Sequence, residues 1–327
     1  MLVDGKWTAA WQPVQATDAK GGFVRQASLF RSWVTPDGAA GPTGEAGFLA
    51  EKGRYHLYAA LTCPWATRVL IARKLKRLEE VVSVSIVEPA MTDQGWRFGD
   101  YPGSTRDAVN GATYLHEIYT RADPRYTGRA TVPALWDKKR GAIVNNESAE
   151  LLRMFNSGFG ALADSSLDLY PADLRAEIDA LNDEVHPSLN NGVYRAGFAA
   201  TQEAYEEAFA GVFAMLDTLE RRLSRGRMLF GERLTEADIR VFVTLARFDA
   251  AYFGQFKCNL RRIADYPNLS AYLAQLIALP AFRDTFNLDH IKRGYYSIKS
   301  LNPTRIVPLG PELAWTTARR ETGHGVV

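Results

Sequence analysis

Cysteine is nearly missing from this chain: 327 residues include two, Cys63 and Cys258. Two thiols cannot build a disulfide scaffold, so both are expected free, in a reducing compartment. Long apolar runs are missing too. Nothing approaches the roughly 18 apolar residues that suggest a membrane span. The start, Met1-Leu2-Val3-Asp4-Gly5-Lys6-Trp7, has no basic region followed by an apolar core, so it is not a secretory signal. A cytoplasmic protein with no membrane contact is expected. Neither sign of charge dominates: 39 Lys and Arg against 37 Asp and Glu leave +2. That near-balance gives no footprint for nucleic acid, whose phosphates call for clustered cations. Three signatures are absent as well: Gly-x-Gly-x-x-Gly after a strand, a phosphate loop ending in Gly-Lys-Ser/Thr, and Gly-x-Ser-x-Gly. His56, His116, His186, His290 and His324 are scattered without metal-ligand spacing, so no dedicated zinc site is expected.

What is present reads as a globular protein with a substantial core, of a length that favours two domains. Residues 1–50 contain Thr35-Pro36-Asp37-Gly38-Ala39-Ala40-Gly41-Pro42-Thr43-Gly44, which resists regular structure and marks a loop-rich extension. Its Phe23, Leu29, Phe30 and Trp33 suggest that it packs down. Tyr55-His56-Leu57-Tyr58-Ala59-Ala60 reads as a strand and Val81-Val82-Ser83-Val84-Ser85-Ile86-Val87 as another. Between them, residues 65–75 read as a helix with an apolar face (Val69, Leu70, Ala72 to Leu75) and Arg and Lys opposite. That is a βαβ unit, so a parallel pair is expected. Thr131-Val132-Pro133-Ala134-Leu135-Trp136 and Gly141-Ala142-Ile143-Val144 form an antiparallel hairpin, and 147–155 a helix. Helical patterns then take over, at 171–189, 201–223, 235–253 and 267–279. Thr235-Glu236-Ala237-Asp238 is a capping box with Asp in the usual Glu place. The expected architecture is an α/β domain over 51–160 followed by an all-α domain over 172–327.

Chemistry concentrates at Cys63, between the first strand and the helix, in Thr62-Cys63-Pro64-Trp65-Ala66. A thiolate there faces unpaired N–H groups and the positive end of the helix dipole, which lowers its pKa and makes it nucleophilic. The plain alternative is a small buried hydrophobe. Ala66 stands where a dithiol enzyme carries its second sulfur, so Cys63 has to form a mixed disulfide with an external thiol. Cys258 reads as an incidental thiol.

Cys63-Pro64-x-Ala66, Thr131-Val132-Pro133 and the Glu147-Ser148 helix start resemble the thioredoxin-like half of glutathione transferases. Leu61-Thr62-Cys63-Pro64-Trp65-Ala66, Asp93-Gln94-Gly95-Trp96-Arg97-Phe98 and Asn302-Pro303-Thr304-Arg305-Ile306-Val307-Pro308 narrow the resemblance to the glutathionyl-hydroquinone reductases, the Xi class, over nearly the full chain. The resemblance implies a thioredoxin-like N-terminal domain, an all-helical glutathione-transferase C-terminal domain and a site between them. It implies a cis Val132–Pro133 bond and reductive removal of glutathione from glutathionyl-hydroquinones. In that reaction Cys63 takes the glutathionyl group as a mixed disulfide, and a second glutathione resolves it. Glutathione is cosubstrate; no metal, flavin or nicotinamide is implied. Tyr194 matches a proton donor and acceptor, and Tyr252 and Tyr295 match residues that hydrogen-bond near the sulfur and keep its pKa low. Tyr296 adjoins the last, an ambiguity of one position. Trp96, Arg129, Ala130, Thr131 and Val132 match a glutathione-binding strip, Glu147 and Ser148 its γ-glutamyl holder, and Arg97 and Arg129 could neutralise its carboxylates. A homodimer is implied as well. Two other functions fit the same residues: a conjugating glutathione transferase, and a non-catalytic carrier of quinones or other aromatics.

Overall fold

The computed structural model describes residues 1–8, 16–44 and 47–317. In chain order the strands are β1 (Leu2–Val3), β2 (Lys6–Trp7), β3 (Trp33–Thr35), β4 (Gly47–Leu49), β5 (Tyr55–Ala59), β6 (Val82–Ile86), β7 (Ala134–Asp137) and β8 (Ala142–Asn145). The helices are α1 (Pro64–Leu75), α2 (Leu115–Ala122), α3 (Ser148–Arg153), α4 (Arg175–Val185), α5 (Gly192–Gly197), α6 (Gln202–Leu223), α7 (Glu236–Arg247), α8 (Pro267–Ala278), α9 (Pro280–Arg283), α10 (Leu288–Tyr296) and α11 (Ala314–Thr317).

Four strands form one mixed sheet in the order β6-β5-β7-β8. β5 runs parallel to β6, Tyr55 opposite Val82, and antiparallel to β7, Tyr55 opposite Asp137. Both faces of β5 are buried, which explains its unbroken aromatic and aliphatic run. The expected βαβ unit and hairpin are both present.

α1 departs from expectation. It packs on α3 and α7 and is buried almost all round, Arg68 and Arg73 included. The two arginines are buried because the interior offers them partners. Arg68 donates to the Asn190 side-chain oxygen at 2.7 Å and lies 4.5 Å over the Trp65 ring, while Arg73 donates to the Val82 carbonyl at 2.6 Å.

The N-terminal segment is more ordered than its composition suggests. β1 pairs with β2, and β3 with β4. Phe23 and Trp33 are buried and Phe30 half-buried, but Leu29 is exposed. The segment straps across both halves of the chain. The Gly21 carbonyl accepts from Ala200 N–H at 2.9 Å, and Thr201 donates its hydroxyl to the Lys20 carbonyl at 2.6 Å. Farther on, Ser28 donates to the Glu147 carboxylate at 3.0 Å and Ser32 N–H to the Val144 carbonyl at 3.0 Å.

In the helical half, α6 and α8 match expectation closely. The pattern at 171–189 resolves into α4 and a π-helical turn at His186–Asn190, and that at 235–253 into α7 and another at Phe248–Tyr252. α5, α9, α10 and α11, and α2 in the sheet half, were not anticipated. The capping box is present: the Asp238 carboxylate accepts from Thr235 N–H at 2.8 Å, Leu229 N–H at 2.9 Å and the Tyr272 hydroxyl at 2.9 Å.

Candidate active site

Cys63 occupies the N-cap of α1, with Pro64 in the first turn where a missing N–H costs nothing. The thiol is half-buried and donates to the Val132 carbonyl, with sulfur and oxygen 3.4 Å apart. The Val132–Pro133 bond is cis. Burial pushes the Cys63 thiol up, while the N–H groups of Ala66 and Trp65 and the charges of Arg247 and Arg25 pull it down. The expected lowering by the helix start is therefore corrected: the pull exists, and burial outweighs it.

A cavity of about 540 Å³, of the size that holds small organic ligands, opens beside the Val132–Pro133 turn. The sheet half supplies Arg129, Thr131, Val132, Glu147 and Ser148 to its wall, the N-terminal segment Arg25 and Ser28, and α4 and its π-helical turn Asp183 and His186. Glu147 caps α3, accepting from Ala149 N–H at 3.1 Å, and Ser148 is buried behind it. The Tyr119 hydroxyl donates to the Thr131 carbonyl at 2.7 Å and accepts from the Asn146 amide at 3.1 Å, fixing the strip between the two. Burial and the neighbouring Arg25 charge bring Arg129 down to about 10, still a cation at neutral pH.

Three phenols from the helical half meet at one point. Tyr295, on α10, lies 2.6 Å from the Tyr194 hydroxyl and 2.8 Å from that of Tyr252, oxygen to oxygen. Burial raises all three, Tyr252 and Tyr295 well above the ordinary phenol value. Each is therefore protonated at neutral pH and able to donate. The Cys63 charge acts on Tyr194, which ties this network electrically to the thiol. Tyr252 and Tyr295 hydrogen-bond through their hydroxyls within this phenol cluster. Tyr295, not Tyr296, carries the shared hydroxyl.

Some expected residues stand apart. Trp96 is half-buried against the core, outside the cavity wall, as is Ala130; Arg97 is exposed, 4.0 Å from Glu88. Cys258 is fully buried, its thiol pushed up to about 12 by burial. Other residues were not foreseen. Arg25 lies 4.8 Å over both the Trp65 and Tyr194 rings and donates to Asn191 at 2.9 Å, bridging cavity and phenols. Arg247 reaches from α7 to the turn before Cys63. Nothing local in the sequence marks either, because each acts through contacts far along the chain.

Family models describe the same two halves: the glutathione S-transferase N-terminal domain matches residues 62–157 and the C-terminal domain residues 202–275. Glutathionyl-hydroquinone reductase YqjG of Escherichia coli is 52% identical, covering 95% of this chain and 94% of its own. Glutathionyl-hydroquinone reductase PcpF of Sphingobium chlorophenolicum is also 52% identical, over 95% of this chain and 96% of its own. The glutathione-bound structure of YqjG superposes with a TM-score of 0.88 at 49% identity, over 96% of each chain. The Xi glutathione S-transferase of Phanerochaete chrysosporium superposes at 0.86 with 50% identity, over 90% of this chain and 95% of that one. The chain belongs to the glutathione S-transferase family, in its Xi class of glutathionyl-hydroquinone reductases.

Proposed function

We propose that this protein reduces glutathionyl-hydroquinones to free hydroquinones at the expense of glutathione. The half-buried Cys63 sulfur, bonded to the Val132 carbonyl of the cavity wall and acting electrically on the Tyr194 phenol, carries the proposal. The γ-glutamyl end of the conjugate lies at Glu147 and Ser148 and its peptide along the Arg129–Val132 strip, with Trp96 a further contact beyond the cavity wall. The aromatic ring faces Tyr194.

An aryl carbanion is a very poor leaving group, so the conjugate reacts as its keto tautomer, protonated at the carbon bearing sulfur. Tyr194, replenished through Tyr295 and Tyr252, exchanges that proton. The Cys63 thiolate attacks the glutathionyl sulfur. A sulfur–sulfur bond forms, the carbon–sulfur bond breaks, and its electron pair rearomatises the ring, whose phenolate oxygen takes up a proton equivalent to the one the Cys63 thiol gave up. A second glutathione thiolate then attacks the glutathione sulfur of the mixed disulfide, giving glutathione disulfide and restoring Cys63. The ring gains two electrons and two thiols lose them. Nothing in this sequence calls for a metal, flavin or nicotinamide.

The proposal also takes residues 1–50 as an extension, 51–160 as the glutathione-binding domain and 172–327 as the helical domain, in a cytoplasmic homodimer. No described helix is long and apolar enough to cross a membrane.

Turnover of glutathionyl-menadiol with glutathione, followed as released menadiol, tests the reaction. Wild type is expected to turn over and Cys63→Ser to lose essentially all activity, with a glutathione-mass adduct on the Cys63 peptide of wild type. A protein that binds the conjugate without turnover is a carrier. One that joins glutathione to electrophiles regardless of Cys63 is a conjugating transferase. Either result removes the proposal.

A further inference from the structure

Arg247, the last residue of α7, is 1% exposed, and its guanidinium has no carboxylate partner among the described residues. Arg54 and Arg240, buried nearly as well, each have one, Asp137 at 2.5 Å and Glu236 at 2.9 Å, whereas Arg68, as deeply buried as Arg247, is held by the Asn190 side-chain oxygen and the Trp65 ring. The hydrogen bonds of Arg247 go to neutral oxygens instead. Nε donates to the Thr62 carbonyl at 2.9 Å, and Nη2 to the Leu61 carbonyl at 2.9 Å and the Thr67 hydroxyl at 2.8 Å. Nη1 donates to the Val243 carbonyl at 2.8 Å, within its own helix.

The three bonds outside α7 converge on Cys63. Leu61 and Thr62 carry the two carbonyls that precede it. The Thr67 hydroxyl accepts from Arg247 and itself donates to the Cys63 carbonyl at 2.9 Å. The turn bearing the nucleophile is thus gripped on both sides by one planar fork from the other half of the chain, a geometry that a lysine cannot supply. A buried cation held only by dipoles is costly. That cost is offset when an anion forms nearby, and the group poised to become one is the sulfur.

We propose that Arg247 is the positioning residue of the nucleophile: it fixes the Leu61–Cys63 turn and supplies the buried countercharge to the Cys63 thiolate. The inference rests on Cys63 being the nucleophile, as read above. The other charged or titratable groups acting on the sulfur are Arg25 from the N-terminal segment, Arg68 from α1 and Tyr194 from α5. Of the cations that oppose burial of the thiol, Arg247 acts more strongly than Arg25. It pulls down Tyr252 and Tyr295 too, so one charge serves sulfur and phenols together.

The test is the pH dependence of Cys63 alkylation by iodoacetamide, from about pH 6 to about 10, read by peptide mass spectrometry. Cys258, fully buried, is the internal blank. It uses no hydroquinone, so turnover of the wild type judges the reductase reading separately. Arg247→Gln is expected to move the alkylation midpoint up by about one pH unit, slowing the reaction near neutrality about tenfold. Arg247→Lys, which keeps the charge but not the fork, is expected to hold the wild-type midpoint while kcat falls about tenfold and KM for glutathione stays unchanged. A folded Arg247→Gln protein with the wild-type midpoint overturns the proposal. Should Arg247→Gln fail to fold, Arg247→Lys decides: a displaced midpoint, or an unchanged kcat, overturns it.

Discussion

In the proposed reaction Tyr295 is the hinge of the proton chemistry, because Tyr194 and Tyr252 both bond to it. Burial holds all three phenols protonated at neutral pH, so any proton that one gives up has to be replaced along the chain of hydroxyls. Tyr295→Phe removes the oxygen to which both other hydroxyls bond. Turnover of glutathionyl-menadiol is expected to fall about 10²-fold, the lower range for a lost general acid, and urea unfolding to show a loss of roughly 1–3 kcal/mol for the lost hydrogen bonds. Tyr252→Phe leaves the Tyr194–Tyr295 pair intact and is expected to cost less in both assays. Spacing alone could not reveal this network, since its members stand 101 and 43 positions apart; family resemblance supplied them. Cys63 is legible from the residues themselves, because a strand, a Cys-Pro pair and a helix are contiguous. The state of its sulfur is not, since burial depends on what the rest of the chain brings over it.

Among the elements, α7 is the best specified and α10 the least. Thr235-Glu236-Ala237-Asp238 followed by an apolar run announces a buried helix, and the box forms as read. The Asp238 carboxylate also ties down Leu229 N–H and the Tyr272 hydroxyl, so it anchors three elements rather than one. Asp238→Ala is expected to lower stability by roughly 3–5 kcal/mol, the scale for breaking a buried polar network, measured by urea denaturation; a loss under about 1 kcal/mol would reduce the box to an ordinary surface cap. α10 hides because its buried side is carried by His290, Lys292 and Gly294 beside Ile291 and Tyr295, too few apolar residues to announce a core helix. Its N-cap signal was present in Asn287, whose side chain accepts from His290 N–H at 3.0 Å. Gly294 is there for contact: a Cβ would stand 2.1 Å from the Thr62 methyl. The helix that carries Tyr295 therefore lies against the turn that carries Cys63. The extension was legible as loop-rich and packed down through Phe23, Phe30 and Trp33, while the pairing of its described strands was not, since it comes from what they lie on rather than from local propensity.

At the scale of the molecule, the two halves are joined on both sides of the sulfur. Arg247 and the Thr62 hydroxyl, which donates to the His290 carbonyl at 2.8 Å, lock them at the base. The N-terminal strap fastens them across the front, from Ala200 and Thr201 to Glu147 and Val144. A slot fastened at front and base by these described contacts is expected to have its aperture set before any substrate arrives. Such a preset opening has a kinetic signature. Stopped-flow mixing with glutathione should give one phase whose observed rate climbs linearly with ligand concentration. A rate that levels off would reveal a closing step, and with it a strap that lets go.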